Sequence, residues 1–199
     1  MAKKKKVTSK ENPSALDHTV AYVKSFIKDR NVASVTPTSS HVVNQICDRI
    51  RFDRDLTVIE YGAGTGVFTF ELLKRMTPGS RLLAFETNPD LAELLEKHND
   101  PRLAVSTESA ARVSEVRNDI GLPAADYILS GIPFSFFDAS LRREIVLKTY
   151  DNIRPEGRFL VYQASWMMKD LIEEIFGNID TDSYLLNIPP MFLMDAIRN

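Results

Sequence analysis

The chain has 199 residues, 44% of them hydrophobic, and a formal net charge of −2. That length supports one domain with a real core and little more. The near-balanced charge argues against a surface coated for nucleic acid, although a local basic patch is compatible with it.

The single cysteine, Cys47, excludes an internal disulfide and a cysteine metal cluster. It lies in an apolar helical pattern and reads as a buried small hydrophobe. His18, His41 and His98 are scattered, so no metal site or catalytic triad is expected. A reducing cytoplasm is the expected compartment.

Residues 1–13 are basic and polar and read as a disordered tail. No apolar run follows Lys3-Lys4-Lys5-Lys6, so this is not a signal peptide. No stretch approaches the ~20 apolar residues of a membrane span. Residues 14–199 read as a single domain. From Ser14 to about Asp29, Leu16, Val20, Val23 and Ile27 recur on one helical face. Lys24, Lys28 and Arg30 lie on or near the other. This amphipathic helix, at about 14–30, fits either a surface helix packed on the domain or one lying in a membrane interface. A turn-rich connector follows, and Thr38 or Ser39 can cap the next helix, which runs to about Arg51.

The centre of the chain is a strand, a glycine turn and a helix. Leu56-Thr57-Val58-Ile59 reads as a buried strand. Glu60 and Tyr61 follow, then Gly62, Gly64 and Gly66 at every second position, then a helical pattern from Val67 to Lys74. Such a unit binds a nucleotide-like ligand, because glycine lets the ligand approach the backbone and permits positive φ. The dinucleotide fingerprint needs its last glycine where Val67 stands, and no Lys-Ser or Lys-Thr closes a phosphate loop. A carboxylate at Glu60 would repel phosphates but suits a cationic ligand end.

Arg81–Phe85 is a second strand, ending in Glu86-Thr87-Asn88-Pro89. Glu86 suits a bidentate acceptor for ribose hydroxyls, or simply the acid before a helix running from Asp90 to Lys97. Leu103–Ser106 is a third strand, with Glu108-Ser109-Ala110 in the turn after it. Asp126–Leu129 is a fourth, leading into Ser130-Gly131-Ile132-Pro133-Phe134. A helix from Leu141 to Ile153, a turn at Pro155-Glu156-Gly157, a fifth strand at Arg158–Tyr162 and a helix from Met167 to Phe176 follow. Tyr184–Ile188 and Met191–Met194, joined by Pro189-Pro190, read as a closing hairpin. The alternation implies a doubly wound, mostly parallel α/β sheet with its ligand at the carboxyl ends of the strands.

The run Glu60-x-Gly62-x-Gly64-x-Gly66 resembles motif I of the class I S-adenosylmethionine (SAM) methyltransferases. That resemblance implies a seven-stranded Rossmann-like sheet with an antiparallel last strand, and SAM as cofactor with S-adenosylhomocysteine (SAH) as product. It assigns the cofactor to Glu60, Tyr61, Gly62, Ala63, Gly64 and Gly66, to Glu86, Thr87 and Asn88, to Glu108 and Ser109 at the adenine, and to Ser130. Glu108-Ser109-Ala110 departs from the Asp-Ala often found at the adenine in related enzymes.

Ser130–Phe134 resembles the acceptor loop of adenine N6 methyltransferases, including the ribosomal RNA adenine dimethylases. In that loop a polar first residue accepts from the amine and an aromatic stacks on the flipped base. Here the first residue is Gly131, which has no side-chain acceptor, and Ser130 is one position off. A methyltransferase core without the C-terminal helical RNA-binding domain of the dimethylases is therefore expected.

A longer resemblance is to the bacterial phospholipid N-methyltransferases. It spans Ser25-Phe26-Ile27-Lys28, Val35–Ser40, Glu60–Thr69, Glu86-Thr87-Asn88, Ser130–Phe134 and Asn187-Ile188-Pro189-Pro190. It implies methylation of the phosphatidylethanolamine amine towards phosphatidylcholine. The enzyme would work at an anionic or phosphatidylethanolamine-containing surface, peripheral to the inner face of the membrane, without an obligate protein partner. Thr38 and Ser39 would close over the cofactor. The catalytic candidates are Ser130, Gly131, Ile132, Pro133, Phe134 and Tyr162, with Tyr61 and Tyr162 as possible proton acceptors or phosphate contacts. Phe134, Phe136, Phe137, Tyr162 and Trp166 are expected to line an apolar acceptor pocket. RNA and soluble metabolites are rival acceptors, and a SAM-binding module without turnover is the non-enzyme alternative.

Overall fold

The structure, a computed structural model, describes residues 40–185 and 190–199. The tail at 1–13, the amphipathic helix at 14–30, Thr38, Ser39 and Asn187-Ile188-Pro189 lie outside the described residues.

The elements alternate as the sequence predicts. Helix α1 (Ser40–Cys47) precedes β1 (Thr57–Tyr61), and α2 (Val67–Arg75) and β2 (Arg81–Phe85) follow. Next come α3 (Pro89–Glu96), β3 (Leu103–Ser106), α4 (Val113–Asp119) and β4 (Ala125–Ser130). The chain closes with α5 (Ala139–Asn152), β5 (Ile153–Gln163), α6 (Lys169–Phe176), β6 (Ile179–Tyr184) and β7 (Met191–Ile197). The sheet order is β3-β2-β1-β4-β5-β7-β6. β7 runs antiparallel to both neighbours, and the rest are parallel.

β1 and β4 are buried at every position, and their centres, Val58-Ile59 and Tyr127-Ile128-Leu129, carry the hydrophobic signal while Glu60 and Asp126 are buried polar exceptions. Ile59, Tyr61, Leu83, Phe85, Ile128, Phe159 and Val161 face a core closed by Val113, Ile145, Val146, Ile172 and Phe176 of α4, α5 and α6. Val58, Leu82, Leu129, Leu160 and Tyr162 face the other way, onto Val42, Val43, Ile46, Cys47, Phe68, Leu72 and Leu73 of α1 and α2.

Three elements depart from the sequence reading. β6 starts at Ile179, not Tyr184, and ends where the predicted hairpin strand begins. Asp180, Thr181, Asp182 and Ser183 dominate it, and an edge strand with one wet face carries no hydrophobic run. The predicted turn at Pro155-Glu156-Gly157 is an irregularity inside β5, where the β4 register shifts and Glu156 takes φ +62°. Helix α4 has no counterpart in the sequence reading, because its seven residues carry only Val113 and Val116 as apolar positions. Elsewhere, α5 starts two residues early because Asp138 caps it, its Oδ1 accepting from the Leu141 amide at 2.8 Å.

The order reverses at β1 and β4. Chain direction leads from β1 out to β2 and β3, then returns to β4 and β5 on the other side. Tyr61, Phe85, Ser106, Ser130 and Gln163 therefore end at one edge, where a doubly wound sheet binds its ligand.

Candidate cofactor and acceptor site

The glycine loop is built as its composition demands. Gly62, Gly64 and Gly66 have φ of +76°, +57° and +86°, a region costly to other residues. They differ in what surrounds them. A β-carbon at Gly62 would press on Ile132 of the β4 loop, and one at Gly66 would collide with Phe70 and Leu95. At Gly64 a β-carbon meets nothing within 4 Å. Gly64 thus presents bare backbone to open space. The loop is anchored by the Gly62 and Ala63 amides, which donate to the Phe85 carbonyl at 2.8 and 3.1 Å.

Glu86 ties the loop to β2. Its Oε2 accepts from the Gly64 amide at 2.7 Å and its Oε1 from the Asn88 amide at 2.8 Å. Each oxygen keeps a lone pair for a ligand hydroxyl. Asn88 caps α3 through its Oδ1, and Thr87 beside it is half-buried. Ser109 caps the turn after β3 by accepting from the Ala111 amide, while Glu108 is exposed and paired with Arg112 at 3.1 Å.

Glu60 is fully buried at the end of β1. Thr69 Oγ1 donates to its Oε2 at 2.6 Å, and Oε1 has no partner among the described residues. Burial pushes the carboxyl up to about 7, against the Thr69 bond, with some help from the Glu86 charge. A buried acid with one idle oxygen beside a bare glycine loop suits a ligand with a positive end and ribose hydroxyls. SAM is such a ligand: Glu60 would face its ammonium and Glu86 its ribose. Thr69 was not among the sequence candidates. Its signal was a hydroxyl on the first turn of α2, on the face that meets β1.

The acceptor candidates do not converge. Tyr61 points into the α5 side of the core, with its hydroxyl 3.2 Å from Thr149 Oγ1 and its ring edge-on to Phe85. Burial raises its phenol further, so it is no proton acceptor or phosphate contact, and its carbonyl serves instead by accepting from the Gly131 amide at 2.9 Å. Ser130 is fully buried, its Oγ without a partner among the described residues. The alternation of β4 sets it on the face of Ile128, opposite Tyr162. Phe134 is also fully buried, edge-to-face with Phe137 at 6.0 Å, and so offers no open face for a flipped base. The expected single aromatic pocket is corrected accordingly. Tyr162 packs on Phe68 at 4.3 Å, whereas Phe134, Phe137 and Trp166 belong to the opposite core, Trp166 also lying 4.5 Å from Phe192. Ile132 and the exposed Pro133 remain at the rim.

Comparison with known proteins agrees with this geometry. A family model described as ribosomal RNA adenine dimethylase matches residues 36–118, which include the glycine loop and Glu86 but stop before Ser130. The ornithine lipid N-methyltransferase of Singulisphaera acidiphila is 25% identical over 162 residues, 80% of this chain and 84% of that protein. Among solved structures, the N-methyltransferase NodS from Bradyrhizobium japonicum with bound SAH superposes with a TM-score of 0.71 at 11% identity, covering 92% of this chain and 99% of that one. A Burkholderia thailandensis 1,6-didemethyltoxoflavin N1-methyltransferase does so at 0.70 and 15% identity, covering 97% and 93%. The chain shares the fold of these solved structures.

Proposed function

We propose that the protein is a SAM-dependent N-methyltransferase whose acceptor is the primary amine of a membrane lipid, phosphatidylethanolamine first among the candidates. The observation that carries this reading is the match to a lipid N-methyltransferase over four-fifths of the chain. The acceptor loop supports it: Gly131 brings no side chain and Phe134 is buried, so the base-stacking arrangement is not built.

Bound SAM would supply a methyl group already activated on a sulfonium. The protein's part is to hold both reactants and exclude water. Glu60 and Glu86 hold the cofactor, with Gly62, Ala63, Gly64 and Gly66 shaping its cradle and Glu108 and Ser109 at the adenine end. A lipid ammonium must lose a proton before it attacks, because only the neutral amine has a free lone pair.

A lipid acceptor also requires approach to a surface. Val67, Met167 and Leu185, three of the eight large apolar side chains exposed among the described residues, follow the carboxyl ends of strands. They would set the site against the inner face of the membrane. No described helix is long and apolar enough to cross it.

The test is transfer of labelled methyl from SAM, run in parallel on vesicles containing phosphatidylethanolamine, on vesicles containing ornithine lipid and on unmodified ribosomal RNA. Label in lipid is expected, and the two vesicle arms separate the headgroups. Label confined to RNA would overturn the reading in favour of adenine methylation, which the family model over 36–118 favours. Deletion of residues 1–30 should reduce sedimentation with anionic vesicles.

A further inference from the structure

Gly131 has no side chain for a reason that lies on another strand. A β-carbon built there would run into the hydroxyl and ring tip of Tyr162, from the end of β5. The space that a polar side chain at 131 would take is therefore filled by a phenol. Tyr162 is held firmly: its ring packs on Phe68, and it is only 9% exposed. No described residue makes a hydrogen bond to its hydroxyl, and this oxygen, unlike Ser130 Oγ, is not fully enclosed. Glu60 lies on the same face of the sheet, near enough for its charge to bear on the phenol.

We propose that the Tyr162 hydroxyl is the acceptor that receives a hydrogen bond from the attacking amine, taking the place of the missing side chain at Gly131. This rests on the amine-methylation reading above. Burial first, then Glu60 and Cys47, push the phenol well above its ordinary range. The group is therefore neutral and positions the amine; it does not deprotonate it. In the step itself, the lone pair of the neutral amine forms the new nitrogen–carbon bond as the carbon–sulfur bond breaks. The bonding electrons stay on sulfur, and the resulting ammonium later gives its extra proton to water. Tyr162 aligns the lone pair by holding one N–H.

The test uses Tyr162→Phe, which keeps the ring packing and removes only an oxygen. Its melting temperature should match that of the parent. The probe is sinefungin, an SAH analogue with a primary amine on the carbon that replaces sulfur, near where the reacting amine must come. Affinities for sinefungin and SAH are measured by calorimetry in both proteins. Removing the hydroxyl should weaken sinefungin roughly tenfold relative to SAH, the scale of one hydrogen bond to a charged group. An unchanged ratio overturns the proposal. In parallel, kcat on phosphatidylethanolamine vesicles should fall with little change in KM for SAM, and an unchanged kcat also overturns it. A shifted ratio in a protein whose parent form methylates no lipid would retire the lipid reading and leave Tyr162 in its role.

Discussion

Thr69 donates its hydroxyl hydrogen to one oxygen of Glu60 at 2.6 Å and leaves the other oxygen of this fully buried acid without a partner among the described residues. Burial holds the carboxyl at about 7 against an ordinary 4.5. A carboxyl raised in the native state adds stability that is complete below the unfolded value and is lost as pH rises through the native one. The window therefore runs from about 4.5 to about 7. The loss is on the order of 3 kcal/mol. Glu60→Gln should melt above the parent protein at about pH 8 and level with it near pH 4. Equal melting at the higher pH would mean that the ionised acid is not strained.

The same group makes cofactor binding pH-dependent. Opposite a cationic ligand end, Glu60 must ionise, so SAM binding just below pH 7 should release a proton. Calorimetry in two buffers of different ionisation enthalpy measures it. The release should vanish in Glu60→Gln.

Gly64 and Gly66 should respond differently to substitution. Gly64→Asp meets open space at φ +57°, a conformation that Asp tolerates better than most residues, so the protein should fold and lose SAM binding. Gly66→Ala would drive its β-carbon into Phe70 and Leu95 and should lower the melting temperature itself. Retained SAM binding in Gly64→Asp would remove the loop from the cofactor site.

Glu86→Ala takes the acceptor from the Gly64 and Asn88 amides and from the ribose. Charge-assisted bonds of this kind are worth roughly 1.5–3 kcal/mol each, so SAM affinity should fall at least tenfold. Isothermal titration checks this, and an unchanged affinity would end the ribose assignment.

Asp126 sits at the opposite edge of the sheet and supplies a control. It accepts from Arg54 at 2.6 Å, Arg154 at 2.5 Å and the Thr57 amide at 2.8 Å. Burial opposes its ionisation, but the Thr57 amide, Arg154 and Arg54 outweigh it and lower the carboxyl. Asp126→Ala should cost about 3 kcal/mol of stability, the low end for a buried pair because both arginines are partly exposed, and leave SAM affinity intact. In the parent protein this contribution is present above the ordinary carboxylate pKa and is lost as pH falls through the lowered one. Urea unfolding across that range reads it.

Much of the fold, and the positions of the candidate cofactor residues in it, were legible in the chain itself. The strand–glycine–helix unit, the acids at 60 and 86 and the alternation of elements are local patterns, and all stand where the sequence reading placed them. Buried parallel strands have apolar centres, so they announce themselves. β6 does not, because an edge strand needs no apolar run.

The acceptor side was not legible, and the reason is geometric. Tyr61, Ser130, Phe134 and Tyr162 all follow or end strands at the correct edge, yet side chains alternate across a sheet. Only strand pairing decides which core each one enters. Pairing sends Tyr61 to Thr149 and Phe134 to Phe137, and it brings Tyr162 against Gly131 across the β4–β5 ladder. The sequence by itself determined a glycine loop flanked by acids at 60 and 86, because glycine spacing and acid placement at strand ends are local patterns. The tertiary structure alone decided which hydroxyl meets the acceptor loop, because that contact joins residues whose facing no local propensity specifies.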